Sequence, residues 1–241
     1  MKVIFEDEDL LVLDKPSGIT VNRSDTTMHG TTVQDYVDGL INLEIEDKES
    51  DFYKRCGIIH RIDKETSGIL LVAKNRKSFE NLQGQFKERK VQKSYLALVH
   101  GVPKPPEGEI STPLGRLPWN RKRFGVLAGG REAVTEYKVL EIRYLKSGKG
   151  REALSLIEAR PKTGRTHQIR VHLKSINHPI FSDELYAGRK VARDDRKFLP
   201  RIFLHAEKIT IRHPRSNKKI SFETELPEDL KDFLNTKLER S

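Results

Sequence analysis

Residues 57–74 of this chain are Gly57-Ile58-Ile59-His60-Arg61-Ile62-Asp63-Lys64-Glu65-Thr66-Ser67-Gly68-Ile69-Leu70-Leu71-Val72-Ala73-Lys74. An apolar pair leads into a polar segment in which a histidine, an arginine and an aspartate fall within four residues. The run 69–73 is too short for a helix and has the composition of a buried strand. We therefore predict that Asp63 lies on a loop held between apolar segments, where catalytic groups tend to occur. The alternative is a structural salt bridge between Arg61 and a nearby acid.

This stretch closely resembles the signature of the RluA-type pseudouridine synthases, His-Arg-Leu-Asp-x-x-Thr-Ser-Gly followed by Leu-Leu-x-Ala-Lys. Ile62 stands where the family has leucine, which is a volume-conserving change. The family's aspartate is its catalytic residue, so the resemblance gives that role to Asp63.

The composition limits the class of protein. The 241 residues suffice for one large domain or two small ones, and 45 Lys and Arg against 35 Asp and Glu leave a formal net charge of +10. This excess favours a polyanion partner but does not separate RNA from DNA or an acidic protein. Cys56 is the single cysteine, so an internal disulfide is impossible, and there is no Cys/His zinc spacing. Without a signal peptide or a membrane-length apolar run, we predict a cytoplasmic protein with no membrane partner.

The pattern of strands and separated helices predicts an α+β fold with a mixed, mainly antiparallel β-sheet core and flanking helices. The predicted strands cover residues 2–5, 10–14, 69–73, 91–99, 134–140, 154–158 and 201–212, and a last strand includes Phe222. Predicted helices begin at Thr31 or Thr32, at Asn75 or Ser78, at Thr166 and at Pro227, and residues 42–54 are predicted to be a surface loop. The helix after Pro227 is predicted to carry an apolar stripe of Leu230, Phe233, Leu234 and Leu238. No Ser/Gly linker is visible, so we predict that 1–241 is a single catalytic domain. Because the resemblance begins within the first residues, it implies that the separate N-terminal RNA-binding domain of many relatives is absent.

Two further stretches resemble family motifs in the first half of the chain. The turn Lys15-Pro16-Ser17-Gly18 is similar to the family's Lys-Pro-x-Gly turn, and residues 93–101 to its Lys-x-Tyr-x-Ala-x-Val-x-Gly strand. The resemblance places Tyr95 in the active site, where its ring can stack on a base and its hydroxyl can take part in proton transfer. An aromatic residue on a strand is otherwise more often packed in a core.

Residues 160–173 resemble the family motif Gly-Arg-x-His-Gln-Ile-Arg-x-His. A glycine before a helix start, with arginines in the first turns, suits phosphate or carboxylate binding, and an exposed basic helix is the alternative. The resemblance pairs Arg170 with the catalytic aspartate. His167 and His172 are five residues apart and do not share a face of a helix or a strand, so we predict no metal site there.

The family's reaction makes chemical sense of these residues. Pseudouridylation breaks the bond between uracil N1 and ribose C1′, turns the base and rejoins it through C5, without redox change or metal. We therefore predict no cofactor. The reaction needs an ionised carboxylate near C1′, and Asp63 would supply it. Burial would favour its protonated form, and the charge of Arg170 would oppose that.

Substrate contacts are predicted around this centre. A stacked uridine must be flipped out at a cost of a few kcal/mol, and the guanidinium of Arg61 is predicted to fill the vacated space. The segment 112–130 is too polar for a core and too long for a tight hairpin, and its basic part resembles the family's RNA-gripping loop. There Trp119 or Phe124 would stack on unpaired bases. The other predicted substrate-binding residues are His60, Arg165, His167, Gln168, Leu204, Arg116, Arg121, Lys122 and Arg123.

The sequence thus predicts a monomeric, cofactor-independent RNA pseudouridine synthase that acts on specific uridines in ribosomal or transfer RNA. One alternative is an RNA-binding module or chaperone with a vestigial active site, and a second is a base-excising glycosylase. Incubation with uridine-containing RNA distinguishes the three by its product, which is an isomer, unchanged RNA or a free base.

Overall fold

The computed structural model describes residues 1–23, 32–41, 47–147 and 150–240. The chain forms two compact units. The first unit consists of Met1–Gln92 and Ala206–Glu225, and the second of Lys93–His205 and Leu226–Ser241. The single-domain organisation expected from the sequence stays a prediction.

In chain order, the strands are β1 (Lys2–Glu6), β2 (Leu10–Lys15), β3 (Ser67–Ala73), β4 (Gln92–His100), β5 (Glu107–Ser111), β6 (Leu114–Leu117), β7 (Asn120–Val126), β8 (Val134–Ser147), β9 (Gly150–Pro161), β10 (Leu204–Arg212), β11 (Lys219–Glu223) and β12 (Leu238–Arg240). The helices are α1 (Val33–Asp38), α2 (Asp51–Lys54), α3 (Arg76–Lys87), α4 (Gln168–Ser175), α5 (Arg189–Asp195) and α6 (Glu228–Asp232), and α6 runs into a π-helical turn (Phe233–Lys237).

The first unit is built on antiparallel strands. β1 pairs with β2, β2 with β3, and β10 with β11. Every residue of β3 is buried, as its continuous apolar sequence predicts. α1 begins after a capping box in which Thr32 and Asp35 bond each other's backbone N–H groups, which confirms Thr32 as the cap. Thr31, the other candidate, lies outside the described residues.

The predicted surface loop 42–54 contains a helix, which corrects the prediction for its second half. Ser50 caps α2 by accepting a hydrogen bond of 3.2 Å from the backbone N–H of Tyr53. Phe52 is buried and packs edge-on against Phe79 of α3, with ring centroids 5.6 Å apart. One cap and one buried aromatic suffice for a single turn that the polar sequence conceals. Residues 42–46 lie outside the described residues.

The second unit is also antiparallel: β4 pairs with β9, β9 with β8, and β8 with both β5 and β12. Together the two units confirm the predicted α+β class with a mainly antiparallel sheet. β8 and β9 are longer than the predicted strands 134–140 and 154–158 because their pairing continues to Ser147 and Gly150. The bulge between Val139 and Glu141 interrupts the alternation on which the prediction depended.

The segment 112–130 forms a hairpin, and the prediction that it is too long for one is wrong. β6 pairs with β7 from Leu114 opposite Val126 to Leu117 opposite Asn120, so only Pro118 and Trp119 form the loop. Most of its side chains are exposed or half-buried, so the sequence lacks the apolar alternation of a strand with one buried face.

Two predicted helix features need correction. Thr166 does not cap α4, because His167 precedes the helix in the left-handed region with φ 56° and without a capping side chain. The C-terminal helix begins after Pro227 as predicted, but Leu238 leaves it. Leu238 instead begins β12 and pairs with Leu145. Among the described residues, every helix is too short or too polar to cross a lipid bilayer.

Candidate active site

Asp63 lies in the turn that immediately precedes β3. Its side chain is half-buried, and its backbone carbonyl accepts a hydrogen bond of 3.1 Å from the N–H of Thr66. The carboxylate is therefore carried by a short turn whose far end is fixed in a fully buried strand. The loop position predicted for Asp63 is confirmed.

The Lys-Pro-Ser-Gly turn fixes this loop from the other side. Lys15 is fully buried, and its Nζ donates to the carbonyls of Pro16 (2.9 Å), Ile19 (2.9 Å) and Lys64 (3.1 Å). Gly18 has φ +89° and donates its N–H to the same Lys64 carbonyl at 2.8 Å. A buried ammonium with carbonyl acceptors satisfies its hydrogen-bonding capacity inside the protein, so this turn supports the residue next to Asp63.

The surroundings of Gly68 explain why the Thr-Ser-Gly motif ends in glycine. It has φ +114°, and a Cβ atom at this position would lie 2.2 Å from the carbonyl oxygen of Ala206 in β10. No other residue fits there without moving backbone, because the neighbouring strand passes against this point. The motif therefore includes a packing requirement that directly follows the Asp63 turn.

His60 and Arg61 flank the turn differently. His60 Nε2 accepts the backbone N–H of Leu71 at 3.1 Å, and the ring stacks on Phe86 with centroids 5.0 Å apart. These contacts give His60 a structural role, and its predicted contact with substrate stays a prediction. Arg61 is exposed and makes no ion pair with any residue that the structure describes, so the salt-bridge alternative for it is not found.

Arg170 in the second unit is held by a carboxylate that the sequence analysis did not identify. Its Nε and Nη2 atoms donate to Oδ2 and Oδ1 of Asp183, both at 2.8 Å. Asp183 is fully buried and also accepts the backbone N–H groups of Leu185 (3.0 Å) and Tyr186 (3.1 Å). This bidentate contact fixes the plane of the guanidinium. The predicted pairing of Arg170 with Asp63 stays a prediction. The sequence around it, Ile180-Phe181-Ser182-Asp183-Glu184, gives no signal that separates Asp183 from a surface acid.

Tyr186 links α4 to the β6–β7 hairpin and was also missed. Its buried hydroxyl accepts the N–H of Phe124 at 3.0 Å and hydrogen-bonds Nδ1 of His167 at 2.8 Å. The guanidinium carbons of Arg170 and Arg123 lie 5.0 and 5.4 Å from the centre of its ring. Two cations therefore lie near one electron-rich ring, which eases their mutual repulsion.

Gln168 and Arg165 organise the start of α4. The Gln168 Oε1 atom accepts the Thr163 hydroxyl (2.7 Å) and the Arg165 N–H (3.0 Å), while Nε2 donates to the Val134 carbonyl (2.9 Å) and the Thr135 hydroxyl (3.0 Å). The amide's hydrogen-bonding capacity is thus used by the protein. Its predicted contact with substrate, like that of Arg165, stays a prediction.

Tyr95 is half-buried on β4 at the edge of the second unit's core. Lys93 precedes it by two residues and therefore shares its face of the strand. Lys93 Nζ donates to the Thr163 carbonyl at 3.2 Å, and burial lowers the pKa of this ammonium to about 8. Leu204, a predicted substrate contact, is buried in the core of the second unit where β10 begins.

The β6–β7 hairpin presents its basic side chains in two ways. Arg116 lies over the ring of Phe124 at 5.0 Å and donates to the Arg121 carbonyl at 2.7 Å, whereas Arg121 and Lys122 point to solvent. Arg123 has a buried Nε that lacks a hydrogen-bond partner among the described residues. The two aromatic candidates differ, because Trp119 is 77% exposed at the tip while Phe124 packs edge-on against His167.

One group of described residues has the composition of metal ligands, namely Asp7, Asp9 and His213 in the first unit. His213 bonds Asp7 at 2.7 Å and Arg215 pairs with Asp9 at 2.5 Å. These side chains bond one another, and the group lies outside the predicted site residues.

The predicted residues therefore fall into two sets. The first unit carries His60, Arg61 and Asp63; the second carries Tyr95, Arg116, Arg121, Lys122, Arg123, Arg165, His167, Gln168, Arg170 and Leu204. Within the second unit, Tyr186 brings the hairpin and the start of α4 into contact.

Comparison with known proteins agrees with this architecture. A model of the RNA pseudouridylate synthase family matches residues 9–175. A protein of Aquifex aeolicus named uncharacterized RNA pseudouridine synthase is 40% identical over 96% of this chain and 71% of its own length. Ribosomal large subunit pseudouridine synthase D of Nitrosomonas europaea is 37% identical over 97% of this chain and 64% of its own length.

Solved structures show the same fold. Human RNA pseudouridylate synthase domain containing 1 matches with a TM-score of 0.74 and 27% identity, over 100% of this chain and 88% of that chain. Human RNA pseudouridylate synthase domain containing 4, at 23% identity, matches with a TM-score of 0.71 over 98% of this chain and 93% of that chain.

The mainly antiparallel fold, the Asp63 turn and the family match define an enzyme class, the RNA-modifying isomerases. This chain belongs to the RNA pseudouridylate synthase family, as its resemblance to the RluA type predicted.

Proposed function

We propose that this chain converts specific uridines of structured RNA to pseudouridine, with Asp63 as the catalytic carboxylate. The observation that carries the proposal is the Asp63 turn, which is half-buried, tied by Lys15 and Gly18 through the Lys64 carbonyl, and followed by a buried strand. Such a turn restricts the carboxylate to few positions while leaving it accessible.

In the proposed reaction, the ionised Asp63 acts near ribose C1′ as the bond from C1′ to uracil N1 breaks. The base turns and a new bond joins C1′ to C5. C5 then loses its proton and N1 gains one, so the product is an isomer of the substrate. We propose Arg170 as the positive partner that keeps the carboxylate ionised. Its bidentate contact with Asp183 supports this role, because a guanidinium with a fixed plane can orient a second acceptor.

The β6–β7 hairpin is proposed to grip the RNA. Trp119 is the better candidate for stacking on an unpaired base, because it is exposed whereas Phe124 anchors the hairpin to α4. The exposed side chains of Arg121 and Lys122 support phosphate binding, because phosphate oxygens can reach them from solvent. We also propose that Arg61 fills the space left by the flipped uridine.

Large-subunit ribosomal RNA is the favoured substrate. Relatives at 37% identity carry the name ribosomal large subunit pseudouridine synthase D, and the net charge of +10 fits a polyanion of this kind. Transfer RNA is the alternative substrate, and the experiment below distinguishes the two. We further propose that residues 1–241 act as one catalytic domain, as a monomer without a cofactor, in the cytoplasm.

Mapping of pseudouridines in total RNA from cells with and without the gene tests this proposal. We expect one or a few positions of large-subunit ribosomal RNA to lose pseudouridine, and plasmid-borne wild-type protein to restore them. If pseudouridine were lost at transfer RNA positions alone, the proposed reaction would stand and transfer RNA would be the substrate. Identical maps, together with no isomer formed by the purified protein, would contradict the proposal.

A further inference from the structure

Helix α5 carries a cluster of positive charge that no role described so far uses. Residues 189–197 contain Arg189, Lys190, Arg193, Arg196 and Lys197. Two of these are neutralised locally, since Arg196 pairs with Glu184 at 3.0 Å and Lys197 with Asp194 at 2.9 Å. The other three are exposed and make no ion pair or hydrogen bond through their side chains with the part of the chain that the structure describes.

Neither acidic residue of α5 pairs with these three cations, because Asp194 pairs with Lys197 and Asp195 is directed inward. Asp195 is buried and accepts the backbone N–H of Ser182 at 3.0 Å and a hydrogen bond of 2.9 Å from Nε2 of His100. His100 also bonds Glu152 at 2.7 Å and stacks on Phe181, so α5 is anchored to the core of the second unit. The helix is therefore anchored through Asp195, while Arg189, Lys190 and Arg193 stay exposed.

The three exposed cations form one arc. At about 100° per residue, Arg189 and Arg193 lie about 40° apart and Lys190 lies about 60° beyond Arg193, while the buried Ala192 falls on the other side. Like charges three and four residues apart destabilise a helix by about 0.2–0.5 kcal/mol per pair. Among the described residues, no acidic side chain forms an ion pair with this arc, since Asp194 pairs with Lys197 and Asp195 is buried. A polyanion that neutralised the arc would therefore be bound favourably.

The arc lies close in sequence to the hairpin contact. Arg189 follows Tyr186 by three residues, which limits the distance between their Cα atoms to about 11 Å. The hydroxyl of Tyr186 bonds the hairpin at Phe124. The arc contains no aromatic side chain, so it suits phosphates, whereas Trp119 suits unpaired bases.

We infer that Arg189, Lys190 and Arg193 of α5 form a second RNA-binding surface, which holds the phosphates of a base-paired stem of the substrate RNA. This inference rests on the proposed function, because it assumes that the substrate is a folded RNA. It assigns α5 to the stem and leaves the unpaired nucleotides to the hairpin and the Asp63 turn.

The test compares two RNA probes with the full-length protein. One is a stem-loop whose loop contains uridines, and the other is the same loop as a single-stranded oligonucleotide. Replacing Arg189, Lys190 and Arg193 by alanine should flatten the plot of log affinity against log salt by about two to three units for the stem-loop. The slope for the single strand, and turnover at saturating RNA, should stay as in the wild type.

A matched variant controls for net charge. Lys87, Lys218 and Lys219 are exposed residues of the first unit, and their replacement by alanine removes the same charge. An unchanged slope in the α5 variant, an equal loss in the control variant, or an equal loss on the single strand would each overturn the inference. If the triple variant has a lowered melting temperature, the double variant Arg189→Gln with Arg193→Gln is measured instead. Its salt slope for the stem-loop should be flatter than that of the wild type by about one to two units. Product formation by the wild type is recorded separately, so failure of the proposed function is distinguishable.

Discussion

The Asp63 carboxylate must stay accessible while the turn that carries it stays fixed. The side chain of Lys15 holds this turn through its hydrogen bond to the Lys64 carbonyl. The sequence indicates a Lys-Pro-Ser-Gly turn there, but it does not indicate that the lysine is fully buried with three carbonyl acceptors. Charged residues are rarely buried without a specific arrangement of partners, and these partners depend on tertiary structure.

Replacing Lys15 by methionine tests this support. Methionine keeps the volume but removes the donor to three carbonyls, so we expect the free energy of unfolding to fall by about 2–4 kcal/mol. We also expect turnover to fall at least about tenfold, because the turn next to Asp63 loses its anchor. Urea denaturation and single-turnover assays measure the two effects. The control is Lys64→Met at an exposed position of the same turn. Normal turnover in the Lys15 variant would show that the turn does not need this support.

Arg170 and Asp183 form a second test at the residue scale. Arg170→Lys keeps the charge but loses the planar two-point contact, and we expect turnover to fall about 10–100-fold with a small change in RNA affinity. Asp183→Asn should lower turnover in the same direction because it weakens the same contact. For both variants, kcat and KM are measured from rates over a range of RNA concentrations up to saturation. Wild-type kcat in both variants would remove Arg170 from the reaction.

His100 provides a pH-dependent test of stability. Burial opposes its charge, but hydrogen bonds to Asp195 and Glu152 outweigh burial and raise the pKa of His100 to about 9. The protonated His100 stabilises the folded state because its pKa is higher there than the value near 6.5 in the unfolded chain. This stabilisation is fully present below about pH 6.5, and it is lost as the pH rises through about 9. The stability advantage of wild type over His100→Gln should therefore shrink by up to about 3 kcal/mol between pH 6 and pH 10. Denaturation curves at several pH values measure it, and a constant difference would contradict the assignment.

At the scale of elements, the β6–β7 hairpin shows where the sequence was informative and where it was not. Its basic and aromatic residues indicated a nucleic-acid contact, yet its pairing was missed because most of its side chains are exposed or half-buried. The two-residue loop puts Trp119 at the tip, and Phe124 is turned toward α4. The tertiary contacts of Phe124 with Tyr186 and His167 distinguish the two aromatic residues.

Two sets of substitutions in the hairpin distinguish base stacking by Trp119 from phosphate binding by the basic side chains. Trp119→Ala should weaken RNA binding by about 1–3 kcal/mol without lowering the melting temperature, because the side chain is exposed. Replacing Arg121, Lys122 and Arg123 by alanine should flatten the salt slope by about two to three units. Fluorescence anisotropy at several salt concentrations measures both. Phe124→Ala is the matched comparison and should instead lower stability. Binding unaffected by either hairpin change would remove the hairpin from the RNA interface.

The remaining errors at this scale share a cause. The bulge in β8 breaks the two-residue period, the left-handed His167 replaces the expected cap of α4, and Leu238 leaves its helix to pair with β8. Each is a local departure that is stabilised by tertiary contacts. Local propensity predicts elements but not such departures.

For the whole molecule, the fold class and the family could be predicted from a few stretches of sequence. Motif residues such as Gly68 are sterically required, because a larger side chain there would collide with the neighbouring strand. The partners of the motif residues did not follow. Asp183, Tyr186 and the cation arc of α5 lie in a segment without a motif in the sequence analysis, and their importance is visible only from their contacts.

The most direct measurement is pseudouridine formation by the wild type and by Asp63→Asn on large-subunit ribosomal RNA from cells that lack the gene. The amide keeps the shape of the side chain but loses its charge and nucleophilicity. We expect the wild type to form pseudouridine at defined positions, and the variant to bind the RNA with similar affinity yet form none. Turnover by Asp63→Asn within about tenfold of the wild-type rate, which corresponds to about 1.4 kcal/mol in barrier height, would contradict the account.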